Sequence, residues 1–384
     1  MSAFGTIHHK SRRRSIRTGF SVALLLPLLA LSACGYGSDK KDDKKTQPAA
    51  NAGAPAPAGA KTGTSASSIR LGFFANVTHA TPLVGLNEGF FAKELGTTAI
   101  KPQVFNAGPA AIEALKGGSI DATYIGPNPS ISGFAGSNGE LLRIVAGATS
   151  GGAALVVKPS INTPADLKGK KIASPQLGGT QDVALRAYLA ANGFPVDTSG
   201  KGEVSVVPTD NAQTLAAFQK GDLDGAWLPE PWATRLVAEA GAKVLVDERT
   251  LWPQGKFVTT NLIVSTKFLK EHPDTVEALI KGQVTANDWA AANPDKAKVA
   301  VNAKIAEYAG KPLAQNVLDA AWPNIEITND PLASSLQKLS DDGVAVGITK
   351  KLDIHGIYDL TLLNKVLAAT GKPVVSDGGL GPKK

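Results

Sequence analysis

Cysteine occurs once in the 384 residues, at Cys34, so no disulfide framework, cysteine nucleophile or cysteine-based zinc site can form within one chain. Histidine is almost as scarce. Beyond His8 and His9 there are only His79, His272 and His355, too far apart in sequence to suggest a multi-histidine metal site, and no metal is expected. An excess of one charge is also missing from most of the chain. The formal charge is +7, but five of those units lie in residues 1–33 and two in residues 34–68, leaving 69–384 neutral. A basic nucleic-acid-binding domain is therefore not expected. Nor is there a hydrophobic run long enough to cross roughly 30 Å of hydrocarbon. The longest, residues 20–33, is interrupted by Ser21, Pro27 and Ser32. GxSxG and HExxH sequences are absent, and the one Gly-rich turn into a helix, Leu177-Gly178-Gly179-Thr180-Gln181, lacks the lysine of a P-loop.

What is present begins with an address. Basic residues 10–17 precede the apolar stretch, the order of a secretory signal. The twin-arginine match at Arg13-Arg14-Ser15-Ile16 is weak, and a plain basic leader explains it. The stretch ends Leu31-Ser32-Ala33-Cys34-Gly35, which resembles a bacterial lipobox, so Cys34 is expected to be lipidated and to become the mature N-terminus. Residues 34–68 are charged, then rich in Ala, Pro and Gly, a composition that cannot bury enough apolar surface to offset its ordering entropy. A disordered tether with a reach of about 30 Å follows, placing the folded part outside the membrane and anchored to it.

From residue 69 short apolar runs alternate with helix-length segments, the pattern of an α/β fold. Strands are predicted over 69–74, 103–105, 122–125, 142–148, 154–157, 171–173, 204–207, 225–228, 244–246 and 262–265. Beyond residue 266 the pattern is nearly all helical: 273–293, 294–308, 314–322, 331–344 and 360–370, a covering rather than a further α/β lobe.

An internal near-repeat sharpens the reading. Gly118-Ser119-Ile120-Asp121-Ala122-Thr123-Tyr124-Ile125 recurs 103 residues later as Gly221-Asp222-Leu223-Asp224-Gly225-Ala226-Trp227-Leu228. Each copy follows an amphipathic helix ending in lysine and runs into a proline-rich turn. Two lobes of similar build imply a cleft between them, at the carboxyl ends of the strands where ligands of open α/β sheets bind. On this reading Tyr124 and Trp227 are aimed at the cleft.

At these residues the chain resembles the substrate-binding proteins of ABC importers, in the nitrate, sulfonate, taurine and bicarbonate class. The resemblance is carried by residues 71–80, 120–129, 162–173, 221–232 and 268–276, in the family's order from about residue 69 to 300. It implies a two-lobed periplasmic-binding-protein-like type II fold, with lobe 1 discontinuous (69–156 plus 260–384), lobe 2 over 157–259, and hinge strands near 154–157 and 259–264. It implies a monomeric, non-enzymatic receptor without cofactor that hands a small-molecule ligand to an ABC permease and its ATPase subunits. A thiamine-precursor-like heterocycle, or recruitment of the fold as a biosynthetic enzyme, are the alternatives.

In that fold four loops converge on the cleft. Asn76, Thr78 and His79 supply an amide, a hydroxyl and an imidazole whose unperturbed pKa near 6.5 would make binding pH-dependent. Tyr124, Gly126 and Asn128 form the second loop, with Asn128 expected to cap a helix starting at Pro129. Gly179, Thr180 and Gln181 open a helix over 181–192, whose free N–H groups favour an oxyanion. Trp227 and Glu230 belong to the fourth. A pocket-facing Glu230, and Asp182 in the first turn of the anion-binding helix, would temper a purely anionic preference and admit zwitterions. Asp222 and Asp224 are expected at a turn and strand entry.

Overall fold

The computed structural model describes residues 63–382. The expected signal, the lipidated Cys34 and all but the last six residues of the expected tether lie outside the described residues. Among the described residues no helix is long and apolar enough to cross a membrane.

Among the described residues eleven strands form two sheets. The first contains β1 (Ser68–Phe73), β2 (Ala99–Val104), β3 (Ala122–Ile125), β4 (Leu142–Gly151), β10 (Val258–Ser265) and β11 (Ile325–Ile327), in the order β11-β4-β10-β3-β1-β2. The second contains β5 (Ala153–Val157), β6 (Lys171–Ser174), β7 (Ser205–Pro208), β8 (Gly225–Pro229) and β9 (Lys243–Asp247), in the order β7-β6-β8-β5-β9. One large apolar cluster fills the first lobe, and two smaller clusters lie on the faces of the second sheet.

The repeat read in the sequence occupies equivalent places. β3 runs parallel to β1 and antiparallel to β10, and β8 runs parallel to β6 and antiparallel to β5. Each is the strand at which parallel pairing gives way to antiparallel. The repeated aspartates do the same job at each entry: Asp121 accepts from the Arg70 N–H at 2.8 Å, and Asp224 from the Lys171 N–H at 3.0 Å. In both cases the donor belongs to the neighbouring parallel strand. A lysine or arginine side chain completes each clasp, Arg70 on Asp121 and Lys158 on Asp224.

The chain passes from one sheet to the other at Gly151-Gly152. Both residues have positive φ, 74° and 75°, and a Cβ on Gly152 would stand 2.5 Å from Ile325. Only glycine satisfies both the conformation and the space. Residues 154–157, expected as a hinge strand, are thus paired into the second sheet as part of β5, and β10 brings the chain back.

Two local expectations change. Residues 63–68 are ordered rather than tether: Thr64 bonds the hydroxyls of Thr98 and Thr275 at 2.8 and 2.7 Å, and the Ser65 N–H donates to Asp274 at 2.7 Å. Short polar side chains with fixed partners hold a segment whose composition alone reads as disordered. The C-terminal third is also not wholly helical, because β11 adds an edge strand against Thr149–Gly151. Its three residues are too few to show a period of two. Otherwise this third is the expected helical covering, with Pro273–Ala292, Pro294–Ala309, Gln315–Ala321, Ala333–Ala345 and Thr361–Ala369.

Candidate ligand-binding site

Parallel strands end where helices begin, and here several such junctions face one point between the sheets. After β1 comes the 3₁₀ turn Val77–His79, after β2 the helix Gly108–Lys116, and after β3 the helix Pro127–Gly136. From the second sheet, β6 leads into Thr180–Ala191 and β7 into Asn211–Lys220. Residues from all five starts line a small cavity of about 30 Å³, room for two or three waters. The positive ends of four α-helices thus converge, and no lysine, arginine, aspartate or glutamate lines the space.

The first loop supplies Asn76, Thr78 and His79, all buried. Its carbonyl at Thr78 is held by two hydroxyls, from Thr149 at 2.7 Å and Thr260 at 3.0 Å. The His79 ring stacks on Phe74, with centroids 4.4 Å apart. Burial drives the His79 pKa down to about 3, against the opposing effect of a hydrogen bond to the Tyr124 backbone. The imidazole is neutral at pH 7, which corrects the expected titration near 6.5, and its Nε2 has no partner.

Across the cavity, Gly179 is the N-cap of Thr180–Ala191, with Thr180 and Gln181 as its first residues. Their N–H groups precede the helix's own acceptors. Thr180 Oγ1 is buried without a partner, as is Asn211 Oδ1 from the neighbouring helix start. Gly126 brings the two lobes together: a Cβ there would lie 2.2 Å from Thr180 Oγ1.

Asp182 does not temper the positive helix end. Its carboxylate accepts from Ser174 Oγ at 2.7 Å, the Gly178 N–H at 3.0 Å and Arg186 Nε at 2.9 Å, with both charged side chains almost fully buried. The acid is consumed in shaping the Gly178 turn and in an internal ion pair.

Seven predicted residues, Asn76, Thr78, His79, Gly126, Gly179, Thr180 and Gln181, meet at the cavity. The other four do not line it. Tyr124 points from β3 into the helical layer, where its hydroxyl donates to Gln283 at 2.8 Å. Trp227 is a core residue of the second lobe, packed on Tyr188 and donating from Nε1 to Glu248 at 2.7 Å. Both strands are buried on both faces, so an aromatic near a strand's end is directed into a layer and not past the edge. Asn128 caps nothing; its amide donates to Leu339 O at 2.9 Å within a helix that starts at Pro127.

Glu230 joins the lobes instead. Its carboxylate accepts from Thr234 Oγ1 at 2.9 Å and from Asn324 Nδ2 at 2.7 Å, and its carbonyl from the Thr78 N–H at 3.3 Å. Burial raises its pKa to about 7, while the hydrogen bonds from Asn324 and Thr234 pull the other way.

Sequence reasoning missed Phe74, Asn106, Gly108, Asn211, Thr259 and Thr260, which also line the cavity. Asn106-Ala107-Gly108-Pro109 and Asp210-Asn211 carry helix-start signals that mark them in retrospect. Thr259 and Thr260, inside a strand, carry none.

The fold is that of periplasmic binding proteins. The nitrate-binding protein of Synechocystis PCC 6803 superposes with a TM-score of 0.68, covering 81% of this chain and 91% of its own at 17% identity. The alkanesulfonate-binding protein of Xanthomonas axonopodis pv. citri bound to MOPS gives 0.62, covering 74% and 95% at 20% identity.

Residues 62–306 match the NMT1-like family, and the chain belongs to it. Among curated relatives, the taurine-binding periplasmic protein of Escherichia coli is 31% identical over 219 residues, 57% of this chain and 66% of that protein. The putative aliphatic sulfonates-binding protein of Bacillus subtilis is 26% identical over 290 residues, 74% of this chain and 84% of its own. The chain thus spans just under two thirds of the first relative and most of the second. Both are binding proteins rather than enzymes.

Proposed function

We propose that this protein is an extracytoplasmic solute receptor of an ABC importer, which captures a small oxyanion, or a zwitterion carrying one, and delivers it to the permease. The observation that carries the reading is the small interlobe cavity, where four helix starts converge and three buried polar atoms, on His79, Thr180 and Asn211, lack partners. A buried polar atom left unpaired costs about 1–3 kcal/mol; an oxyanion accepting from Thr180 Oγ1 and His79 Nε2 would remove that cost for those two, while Asn211 Oδ1, an acceptor, calls for a donor on the ligand or a bridging water. The site's positive potential comes from peptide dipoles, so the anion needs no counter-ion side chain.

The cavity is built from both lobes, so a ligand there favours the closed arrangement over an open one through contacts made only when the lobes meet. The two chain crossings, at Gly151-Gly152 and before β10, are the natural hinges of lobes spanning about 69–152 plus 258–384 and 153–257. Relatives that bind taurine, sulfonates and nitrate support this ligand class. The lipobox-like Leu31-Ser32-Ala33-Cys34 supports tethering of the receptor to the membrane through Cys34.

A panel of nitrate, bicarbonate, methanesulfonate and taurine tests the reading by thermal shift on the purified protein. A ligand at a hundred times its dissociation constant adds about 2.7 kcal/mol to stability. Thr180→Ala should then abolish most of the shift while leaving the unliganded melting temperature in place. No shift with any oxyanion would refute the receptor reading.

A further inference from the structure

About 30 Å³ holds the head of an anion and little more, well below the roughly 300–1,000 Å³ of typical small-molecule pockets. Three side chains that line it, Asn76, Asn106 and Asn211, also line a second interlobe space of about 720 Å³. These amides form a partition, with the oxyanion cavity on one side and a vestibule on the other. The vestibule is walled by three half-buried aromatic residues: Phe105 from lobe 1, Trp232 from lobe 2 and Tyr308 from the helical covering. Trp232 Nε1 donates to Asn76 Oδ1 at 3.0 Å, so its indole closes over the partition from the opposite lobe.

Of the four charged residues that line the vestibule, Lys311 is exposed and the other three are engaged. Arg235 lies 4.5 Å over the Trp232 ring and is locked onto Glu239 by two bonds of 2.8 and 2.9 Å. Asp210 caps its helix by accepting from the Ala212 N–H at 3.0 Å. An ammonium on a ligand therefore finds no carboxylate in the inner cavity and in the vestibule only Asp210 without a cationic partner, offset by Lys311, whereas a flat apolar group finds aromatic surface.

We propose that the vestibule receives the substituent of the bound anion, and that the protein selects oxyanions carrying a planar apolar group, an arylsulfonate being the class that fits. The proposal rests on the receptor reading above and narrows it. The sulfonate occupies the inner cavity, the carbon–sulfur bond threads the asparagine partition, and the ring lies beside Trp232 and Phe105.

Titration calorimetry with benzenesulfonate, methanesulfonate and taurine tests it. Benzenesulfonate is expected to bind about ten- to a hundredfold more tightly than methanesulfonate, from the apolar area of the ring and its aromatic contacts, and taurine no more tightly than methanesulfonate. Phe105→Leu and Trp232→Leu, each checked for an unchanged circular dichroism spectrum, should shrink the benzenesulfonate-to-methanesulfonate ratio by about tenfold. Equal affinity for the two sulfonates, a preference for taurine, or a ratio unmoved in both variants would overturn the proposal while leaving the receptor reading intact. Failure of every oxyanion to bind would instead overturn the receptor reading and this proposal with it.

Discussion

Glu248 makes folding stability depend on pH in a way that needs no ligand to measure. It is 1% exposed, and its Oε2 accepts from Trp227 Nε1 at 2.7 Å. Burial pushes its pKa up to about 7; hydrogen bonds from Trp227 and Trp252 oppose the shift, and the neighbouring charge of Asp247 adds to it. In the unfolded chain the same carboxyl titrates near its ordinary value of about 4.5. Below pH 4.5 both states hold the proton and its contribution is complete. Between pH 4.5 and 7 the unfolded chain has lost a proton that the folded protein keeps, so stability falls by about 1.4 kcal/mol per pH unit. By pH 8 the loss from this one group reaches about 3 kcal/mol. Glu248→Gln retains an oxygen to accept from Trp227 and cannot titrate. Urea unfolding followed by tryptophan fluorescence at pH 4.5, 6 and 8 should therefore show the variant gaining about 3 kcal/mol on the wild type across the series, whatever constant offset the amide introduces. A stability difference that does not change with pH would refute the assignment of a neutral buried carboxyl.

Two further outcomes follow from the cavity's walls. Gly126 has φ −71°, so alanine suits its backbone, yet the new methyl would meet Thr180 of the opposite lobe. Overpacking of about 1–3 kcal/mol applied to the closed state alone weakens ligand binding by about 5- to 150-fold, by calorimetry, with the unliganded melt little changed. Adding Thr180→Ala should leave the double variant with a smaller loss than the two single losses combined; strict additivity would show that the residues do not touch. Asp182→Ala strands the Arg186 charge inside the second lobe and should cost about 3–5 kcal/mol in urea unfolding. A loss under about 1 kcal/mol would show that the pair is not sequestered from water.

Much of the fold was legible because α/β chains advertise themselves. Apolar runs bounded by turn residues marked all the strands except β11, and the Asp-led repeat marked the two places where each sheet changes from parallel to antiparallel. Helix starts were legible for a related reason. Gly179, Thr180 and Gln181 follow a glycine turn, and Asn76, Thr78 and His79 a strand end; the family resemblance placed these loops at the cleft, and local chemistry marked the residues within them. Tyr124 and Trp227 failed because which side of a buried strand a residue faces depends on its pairing register and on the layer above it. Glu230 and Asp182 misled in another way. Their charge is evident in sequence, but the partners that absorb it, Asn324 for one and Arg186 for the other, are fixed only by packing.

By itself the sequence determined the class of fold, the number of lobes, the neutrality of the folded part and the helix starts at which an anion could be held, because these depend on residue type and short-range spacing. Tertiary structure alone decided that the cavity is lined by no charged side chain, that His79 is neutral and that the cavity adjoins a second space walled by aromatic residues. Each of those depends on which distant side chains meet and how much water they exclude. The +7 of the whole chain is the clearest case: local summation assigns it to the first 68 residues, while the potential felt inside the cleft comes from peptide dipoles that only folding aligns.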